Sequence, residues 1–237
     1  MRTIAILPIK SFGAAKQRLS TLLAGGAREA LAQAMYSDVL ASLRHVDGLD
    51  AVAVVTSNRL AESVISRTGV RLLHDVHETG HNAAAELGVR HALDEGYERV
   101  LLVPGDTPLL DPVEVGAMLA RAEEEKTPVT IVPDRHGTGT NALLLCPPAA
   151  ISPSFGPGSL ERHRQAARDA GQAHRVEAIF SLMLDVDTPE DLAELSDALG
   201  ERRGQASMTR GALRQLDRSQ MPGPLASRRR EPARIQV

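Results

Sequence analysis

Two aspartates that follow apolar segments are the most chemically suggestive residues of this sequence. Asp106 follows the run Val-Leu-Leu-Val-Pro-Gly, and Asp187 follows Leu-Met-Leu-Asp-Val and precedes Thr188-Pro189. Open α/β sheets bind ligands at the carboxyl ends of their strands, so two carboxylates there favour a hard cation such as Mg²⁺ together with a nucleotide. In the alternative interpretation both aspartates form turns and cap helices, roles that Asp-Thr-Pro also favours.

A loop with an unusual choice of basic residues follows the first apolar run. The chain has 27 Lys and Arg residues, of which only three are Lys, and Lys10 and Lys16 both fall in this loop, just before Arg18. A compact ammonium group can follow a phosphate during its transfer, and the small residues 13–15 would let backbone amides approach phosphates. Neither a Walker sequence nor Gly-x-Gly-x-x-Gly is present. The loop therefore predicts phosphate contacts of another kind, or else solvated surface charges.

Glycines and hydroxyl residues are concentrated in two later segments, 133–141 and 154–160. Glycine lets successive backbone N–H groups turn toward one point, and Thr and Ser hydroxyls add small donors, so this composition predicts an anion site. Ser159 stands where a helix is expected to begin. It is expected to cap that helix, to contact a phosphate, or to do both.

Alternating strand and helix patterns must position these residues. The predicted strands are Thr3–Ile9, Ala51–Thr56, Val70–Leu73, Arg99–Val103, Pro128–Val132, Asn141–Cys146, Arg175–Ile179 and Leu182–Leu184. The predicted helices are Ala27–Arg44, Arg59–Arg67, Asn82–Glu95, Pro112–Glu125, Ser159–Ala170 and a last one through Ala198. This rhythm predicts one α/β domain over residues 1–200, with a mostly parallel central sheet and helices on both faces.

Composition narrows the classes of function. With 43% hydrophobic residues, no long apolar run and no signal-like start, the chain is expected to be a cytoplasmic protein without a membrane partner. Residues 201–237 hold nine Arg and three acidic residues, which predicts a basic, mostly disordered tail. The acidic remainder and the 2% aromatic content argue against nucleic acid as a partner.

Five segments together resemble the guanylyltransferases of coenzyme F-420 (deazaflavin) biosynthesis, over about residues 1–198. They are Leu-Pro-Ile-Lys-Ser-Phe-Gly-Ala-Ala-Lys-Gln-Arg-Leu, Val-Pro-Gly-Asp-Thr-Pro-Leu-Leu, Asp-Arg-His-Gly-Thr-Gly-Thr-Asn-Ala-Leu, Phe-Gly-Pro-Gly-Ser and Leu-Asp-Val-Asp-Thr-Pro-Glu-Asp-Leu. Members of this family activate phosphoenolpyruvate, 2-phospholactate or 3-phosphoglycerate. The resemblance implies a single-domain nucleotidyltransferase (nucleotide-diphospho-sugar transferase-like) fold.

The resemblance also implies roles for individual residues. By motif position, Thr140, Gly156 and Ser159 would bind the three-carbon phosphate substrate, and Asp106 and Asp187 would hold Mg²⁺. The family's Gly-x-Asn before a helix corresponds to Gly80-His81-Asn82, with guanine nearby, although the family usually has an apolar residue in place of His81. Lys16, Lys10 and Arg18 would stabilise the departing pyrophosphate, so that Lys16, Asp106 and Asp187 form the catalytic set.

The expected reaction transfers GMP from GTP to a three-carbon phospho-acid, and the overall motif set most resembles the members that use phosphoenolpyruvate. 2-Phospho-L-lactate and 3-phospho-D-glycerate stay open as acceptors, and a downstream deazaflavin phospho-transferase is the expected recipient of the product. Three other functions also stay open. They are a cytidylyl or molybdenum-cofactor nucleotidyltransferase, a glycosyltransferase using the D-x-D sequence 185–187, and a GTP-binding regulator without catalysis.

Overall fold

One seven-stranded sheet runs through the part of the chain that the computed structural model describes, residues 1–9, 16–57, 65, 69–75, 80–201 and 204–220. Its strands are β1 (Thr3–Pro8), β2 (Ala51–Thr56), β3 (Arg71–His74), β4 (Arg99–Leu102), β5 (Val129–Pro133), β6 (Thr140–Leu145) and β7 (His174–Val176). They lie in the order β3-β2-β1-β4-β6-β5-β7, and β6 runs antiparallel to β4 and β5. The remaining pairs are parallel, which confirms the predicted sheet.

The helices of the described ranges connect these strands and continue beyond the last one. They are a 3-10 helix (Gln17–Thr21), α1 (Gly25–Leu43), α2 (His81–Asp94), α3 (Pro112–Glu124), α4 (Ser159–Asp169), α5 (Phe180–Met183), α6 (Pro189–Glu201) and α7 (Ser207–Gln220). None of them is long and apolar enough to cross a membrane. The predicted helix at Arg59–Arg67 lies, apart from residue 65, outside the described residues.

Strand β1 shows why both faces of the sheet are covered. Its side chains alternate, so that Ile4 and Ile6 enter the hydrophobic core under α2 and α4, whereas Ala5 and Leu7 enter the core under α1 and α3. Helix α2 approaches β1 so closely that a Cβ atom on Gly88 would lie 2.3 Å from Cγ2 of Ile6. The predicted helices on both faces are therefore confirmed.

The antiparallel strand β6 brings a second chain segment to the ligand-binding edge of the sheet. Only the short connection 134–139 separates β5 from β6, and such a connection permits an antiparallel return but not a parallel crossover. Because β6 runs against β4, its first residues, Thr140 and Asn141, lie near the edge where β4 ends. The first residue of β6 and the loop after β4 consequently face the same space.

One predicted strand is wrong. The segment Leu182–Leu184 was expected as a strand before Asp187, but residues Phe180–Met183 form the short helix α5 and Leu184 begins an extended stretch without strand pairing. Leu182 and Leu184 are both buried, which produces the apolar pattern that a strand would also give. Asp187 is therefore positioned by an extended loop, in which the N–H of Val186 donates to the carbonyl oxygen of Asp106.

The prediction of a mostly disordered tail from residue 201 is wrong for Ser207–Gln220, which form α7. Helix α7 packs Ala212, Leu213 and Leu216 on the third core cluster, against α1 and α6. Its start is held by Asp38, whose carboxylate accepts from the backbone N–H groups of Met208 (3.1 Å) and Thr209 (2.7 Å). Arg210 and Arg214 lie among the apolar residues of α7, so the apolar face is hard to recognise in the sequence. Residues 221–237 lie outside the described residues.

Candidate active site

A cavity of about 470 Å³ opens at the edge of the sheet where β1 and β4 end and β6 begins. Five residues singled out in the sequence line it: Lys16, Asp106, Asp187, Thr140 and Gly156. The other lining residues are Pro8, Ile9, Ala32, Met35, Tyr36, His81, Pro104, Gly105, Asn141, Phe155 and Asp185. The fold thus brings together residues that are widely separated along the chain.

Lys16 joins the two aspartates on one side of this cavity. Its Nζ donates to Oδ2 of Asp106 at 2.5 Å and to Oδ1 of Asp187 at 2.9 Å. The Lys16 side chain is only 6% exposed, whereas those of Asp106 and Asp187 are 27% and 47% exposed. Burial by itself would lower the pKa of Lys16, but the two carboxylates outweigh burial and raise this pKa, so the ammonium group stays charged.

The capping roles that the sequence left open for Asp106 and Asp187 fall to other residues. Helix α3 is capped by Asp111, whose Oδ1 accepts from the N–H of Val113 at 2.8 Å, with Pro112 in the first turn. At the start of α6, Oδ2 of Asp191 accepts from the N–H groups of Asp187 (3.0 Å) and Thr188 (2.7 Å). The carboxylates of Asp106 and Asp187 therefore cap no helix, and both are available in the cavity.

Asp185 is a third carboxylate that sequence reasoning did not assign to the site. Burial and then the negative charge of Asp106 raise its pKa to about 6, and Asp187 adds to this effect. Asn141 fixes the segment, because its Nδ2 donates to the carbonyl oxygens of Leu182 and Met183 and to Oδ1 of Asp185 at 3.1 Å. The D-x-D sequence contained a signal for this residue, but its burial depends on contacts that no local pattern shows.

The donor set of this side of the cavity fits a hard divalent cation. Asp106 and Asp187 converge on one positive group, and the pKa of Asp185 beside them is raised first by burial and then by the negative charge of Asp106. Among the described residues no three His, Cys, Asp or Glu side chains are grouped so as to hold a metal by themselves. A cation here would therefore complete its ligands with water and phosphate oxygens, as Mg²⁺ commonly does.

The side of the cavity around Thr140 is formed by neutral groups. Thr140 Oγ1 lies 2.9 Å from Nδ1 of the buried His163, and Nε2 of His163 accepts from the N–H of Ser154 at 2.8 Å. Burial, together with the charge of Arg162, lowers the pKa of His163 to about 4, so that the imidazole is neutral near pH 7. No sequence signal pointed to His163, which is separated from Thr140 by the rest of β6, a loop and the first turn of α4.

Gly156 and Ser159 flank the start of α4. Gly156 lines the cavity with φ of +113°, a conformation that glycine adopts easily. The predicted capping role of Ser159 is wrong, since Gly158 is the N-cap and Ser159 is the first helical residue. The Ser159 hydroxyl is fully buried, and within the described residues it has no hydrogen-bond partner.

Arg18, Gly80 and Asn82 were expected to bind the nucleotide, but none of the three lines the cavity. Gly80, with φ of +118°, is the N-cap of α2. Asn82 is occupied by the loop before α4, because its Oδ1 accepts from the N–H of Phe155 (2.7 Å) and its Nδ2 donates to the Phe155 carbonyl oxygen (3.3 Å). Arg18 is exposed and is not among the lining residues, and Lys10 lies outside the described residues.

The model of a family described as guanylyl transferase, CofC like, matches residues 3–228. The chain belongs to this guanylyl transferase family. The predicted resemblance and the prediction of a nucleotidyltransferase are thereby confirmed.

Relatives within the guanylyl transferase family differ in the acid that their names give. A phosphoenolpyruvate guanylyltransferase of Conexibacter woesei is 49% identical over 219 residues, covering 92% of this chain and 98% of the relative. A 2-phospho-L-lactate guanylyltransferase of Methanothermobacter thermautotrophicus is 36% identical over 217 residues, covering 91% and 92%.

A solved structure confirms the expected fold. A Desulfovibrio desulfuricans protein described as a nucleotide-diphospho-sugar transferase superposes with a TM-score of 0.73 at 18% identity, covering 92% of this chain and 96% of that one. At this identity the likeness concerns the fold alone. The predicted nucleotide-diphospho-sugar transferase-like architecture is therefore confirmed.

Proposed function

We propose that this protein transfers GMP from GTP to the phosphate of phosphoenolpyruvate in coenzyme F-420 biosynthesis. The observation that carries the proposal is the ammonium group of Lys16 held between Asp106 and Asp187, in one cavity with Thr140 and Gly156. The name of the Conexibacter relative supports this choice of acid. The product would be enolpyruvoyl-2-diphospho-5'-guanosine, and a deazaflavin phospho-transferase would receive it.

The reaction is a displacement at phosphorus. An oxygen of the acid's phosphate forms a bond to the α-phosphorus of GTP, the bond from that phosphorus to the oxygen shared with the β-phosphate breaks, and pyrophosphate leaves with the electron pair. The attacking oxygen is already anionic near pH 7, so no general base is required. The protein must mainly align two anions and neutralise the charge that develops between them.

The charged side of the cavity would supply this neutralisation. When bound, Mg²⁺ would compensate charge on the α-phosphate and the reacting oxygens, with Asp106 and Asp187 as its protein ligands and Asp185 beside them. Lys16, which the two aspartates hold in a charged state, would bind the departing pyrophosphate. Lys10 and Arg18 stay part of this proposal as further pyrophosphate contacts.

The neutral side would hold the acid. Thr140, Gly156 and Ser159 are the proposed contacts. Thr140 and Gly156 line the cavity, whereas Ser159 does not, and its role is supported by a buried hydroxyl that has no partner among the described residues. Gly80 and Asn82 are proposed to lie near guanine. For Asn82 the bonds to Phe155 support an indirect role, in which it holds the loop of Gly156 while the nucleotide lies against α2. A cytoplasmic location also belongs to this proposal.

The test is pyrophosphate release by the purified protein with Mg²⁺. GTP or CTP would be combined in turn with phosphoenolpyruvate, 2-phospho-L-lactate or 3-phospho-D-glycerate, and Asp106→Asn would serve as the inactive control. Release only with GTP and phosphoenolpyruvate is the expected result. Release with another acid would identify that acid as the substrate, and release with CTP would indicate a cytidylyltransferase. GTP binding without release would favour a regulator.

A further inference from the structure

His163 is held by two hydrogen bonds, one at each ring nitrogen. Nε2 lies 2.8 Å from the backbone nitrogen of Ser154, and Nδ1 lies 2.9 Å from Oγ1 of Thr140. The ring is fully buried, and the ring of Phe155 packs against it edge to face at a centroid distance of 5.4 Å. Neither nitrogen therefore contacts bulk water.

These contacts determine where the imidazole carries its proton. A backbone N–H can only donate, so Nε2 must present its lone pair to Ser154. A neutral imidazole then carries its single proton on Nδ1, which donates it to Thr140. The pKa of about 4, which burial and the charge of Arg162 produce, agrees with a neutral ring near pH 7.

The same bond determines what the Thr140 hydroxyl can do. Because Oγ1 accepts from His163, its own proton must go to another acceptor. Within the described ranges the structure gives Oγ1 no second partner, and Thr140 lines the cavity. The hydroxyl is thus available as a donor to a group inside the cavity.

We propose that His163 is a positioning residue that makes the Thr140 hydroxyl a dedicated donor to an anionic oxygen of the acid substrate. This inference rests on the proposed function, and it deepens it by assigning how the acid is recognised. Without His163 the hydroxyl could donate to other acceptors and would contact the acid for only part of the time. His163 does not line the cavity, so its effect on donation to the acid should pass through Thr140.

A double-mutant cycle on the KM of phosphoenolpyruvate tests this path. Thr140→Val removes the hydroxyl, and His163→Leu removes the group that orients it. Each change is expected to raise this KM by roughly tenfold or more, the value of one hydrogen bond to a charged group. The double variant is expected to be no worse than Thr140→Val, with kcat and the KM of GTP changed less than about twofold. The proposal would be overturned if the KM increase of the double variant equalled the product of the two single increases, or if His163→Leu left this KM unchanged.

Two further variants separate positioning from general damage. Thr140→Ser retains a hydroxyl and should recover most of the affinity for the acid. His45→Leu is a matched control, because His45 is exposed and does not line the cavity, and it should leave both KM values unchanged. A Thr140→Ser variant as weak as Thr140→Val would show that the hydroxyl is not the contact.

The tautomer can also be measured without any substrate and without a variant kinetic assay. Long-range ¹H–¹⁵N spectra of the ¹⁵N-histidine-labelled protein distinguish a protonated Nδ1 from a protonated Nε2, and the spectrum of His163→Gln would assign the signal. We expect His163 to be protonated on Nδ1 at pH 7. Protonation on Nε2 would overturn the inference even if guanylyl transfer occurs. If guanylyl transfer fails although Nδ1 carries the proton, the proposed function is wrong, but the Thr140 hydroxyl is still a donor into the cavity.

Discussion

The two sides of the cavity are built from different interactions. On one side Lys16 lies between Asp106 and Asp187. Lys16 directly precedes the 3-10 helix, Asp106 lies in the loop after β4, and Asp187 lies in the loop before α6. On the other side Thr140 and the buried His163 are joined by neutral hydrogen bonds, and the pKa of His163 is lowered to about 4. The side chains of Asp106 and Asp187 are partly exposed, whereas Thr140 and His163 are buried.

This difference separates two tasks. Charge that develops during transfer is best met by fixed charges and a cation, and partial exposure lets phosphates and water reach them. Recognition of one acid among similar ones needs donors with a fixed direction, which neutral hydrogen bonds in a buried wall provide. Changes on the charged side should therefore affect turnover, and changes on the neutral side should affect the affinity for the acid.

Loss of a carboxylate should have the largest effect. Asp106→Asn and Asp187→Asn are each expected to lower kcat by at least about a hundredfold, because charge compensation in the transition state is lost. The free energy of unfolding should change little, since neither carboxylate caps a helix. Both are measured by steady-state kinetics and thermal unfolding.

Asp111→Ala is the control for the carboxylate variants. It removes the cap of α3 and should cost about 1 kcal/mol of stability while leaving kcat unchanged. Near-normal turnover in Asp106→Asn or Asp187→Asn would exclude that residue from the catalytic set.

Lys16→Met should have the next largest effect, with opposite signs on two measurements. Loss of the ammonium group is expected to lower kcat and GTP affinity by roughly tenfold or more. In the absence of GTP, the same variant should bind Mn²⁺ more tightly, since the ammonium group no longer competes for Asp106 and Asp187. Titration calorimetry with Mn²⁺ measures the second effect.

Lys126→Met is the matched control for Lys16, because Lys126 is exposed and does not line the cavity. Its kinetics and Mn²⁺ affinity should match those of the unmodified protein. Weaker Mn²⁺ binding in Lys16→Met would mean that Lys16 organises the cation site rather than competing for it.

Ser159→Ala should have a smaller effect, on the neutral side alone. The KM of the acid is expected to rise by several-fold to about tenfold, with kcat unchanged. Stability should be retained, because Gly158 is the N-cap and the buried hydroxyl has no partner among the described residues. An unchanged KM combined with a lower melting temperature would show that Ser159 is only structural.

The smallest expected effect is on the pH dependence of the free energy of unfolding, to which the two sides contribute with opposite signs. The pKa of His163 is about 4 in the folded protein against about 6.5 when unfolded, so its contribution to stability falls as the pH drops through this window. The pKa of Asp185 is raised to about 6, so the folded protein binds a proton first and its contribution rises as the pH drops from 6 toward 4. The two contributions oppose each other.

Melting temperatures between pH 6.5 and 5 in metal-free buffer measure this opposition. Asp185→Asn should lose stability toward low pH more steeply than the unmodified protein, and His163→Leu should lose it less steeply. The differences should be on the order of 1 kcal/mol over this range. Equal slopes in all three proteins would contradict the opposed protonation of Asp185 and His163.

The charged side was easier to predict from the sequence than the neutral side. Lys16 stands out because lysine is rare in this chain, and the two aspartates stand out because they follow apolar runs; such signals are local. Asp185 was visible only as part of D-x-D, and its raised pKa depends on burial and on Asp106, which is distant in the chain. His163 gave no signal, because its role depends on a helix face meeting β6 and the N–H of Ser154.

The fold shows the same limit. Alternating patterns predicted the parallel strands and the helices on both faces, since each pattern is set by one element and its burial. The strand expected at Leu182–Leu184 was wrong because two buried leucines fit a strand and a short helix followed by an extended segment equally well. Helix α7 was missed because its apolar face is short and its start depends on Asp38, far away in the sequence.

Guanylyl transfer would be seen in its product by ³¹P NMR during turnover of GTP and phosphoenolpyruvate with Mg²⁺. We expect free pyrophosphate and, in equal amount, two coupled phosphorus signals from a new P–O–P bridge between the acid and the guanosine. Formation of GMP without such a bridge would mean hydrolysis, and formation of GDP would mean attack at a different phosphorus. Either result would contradict guanylyl transfer at this site.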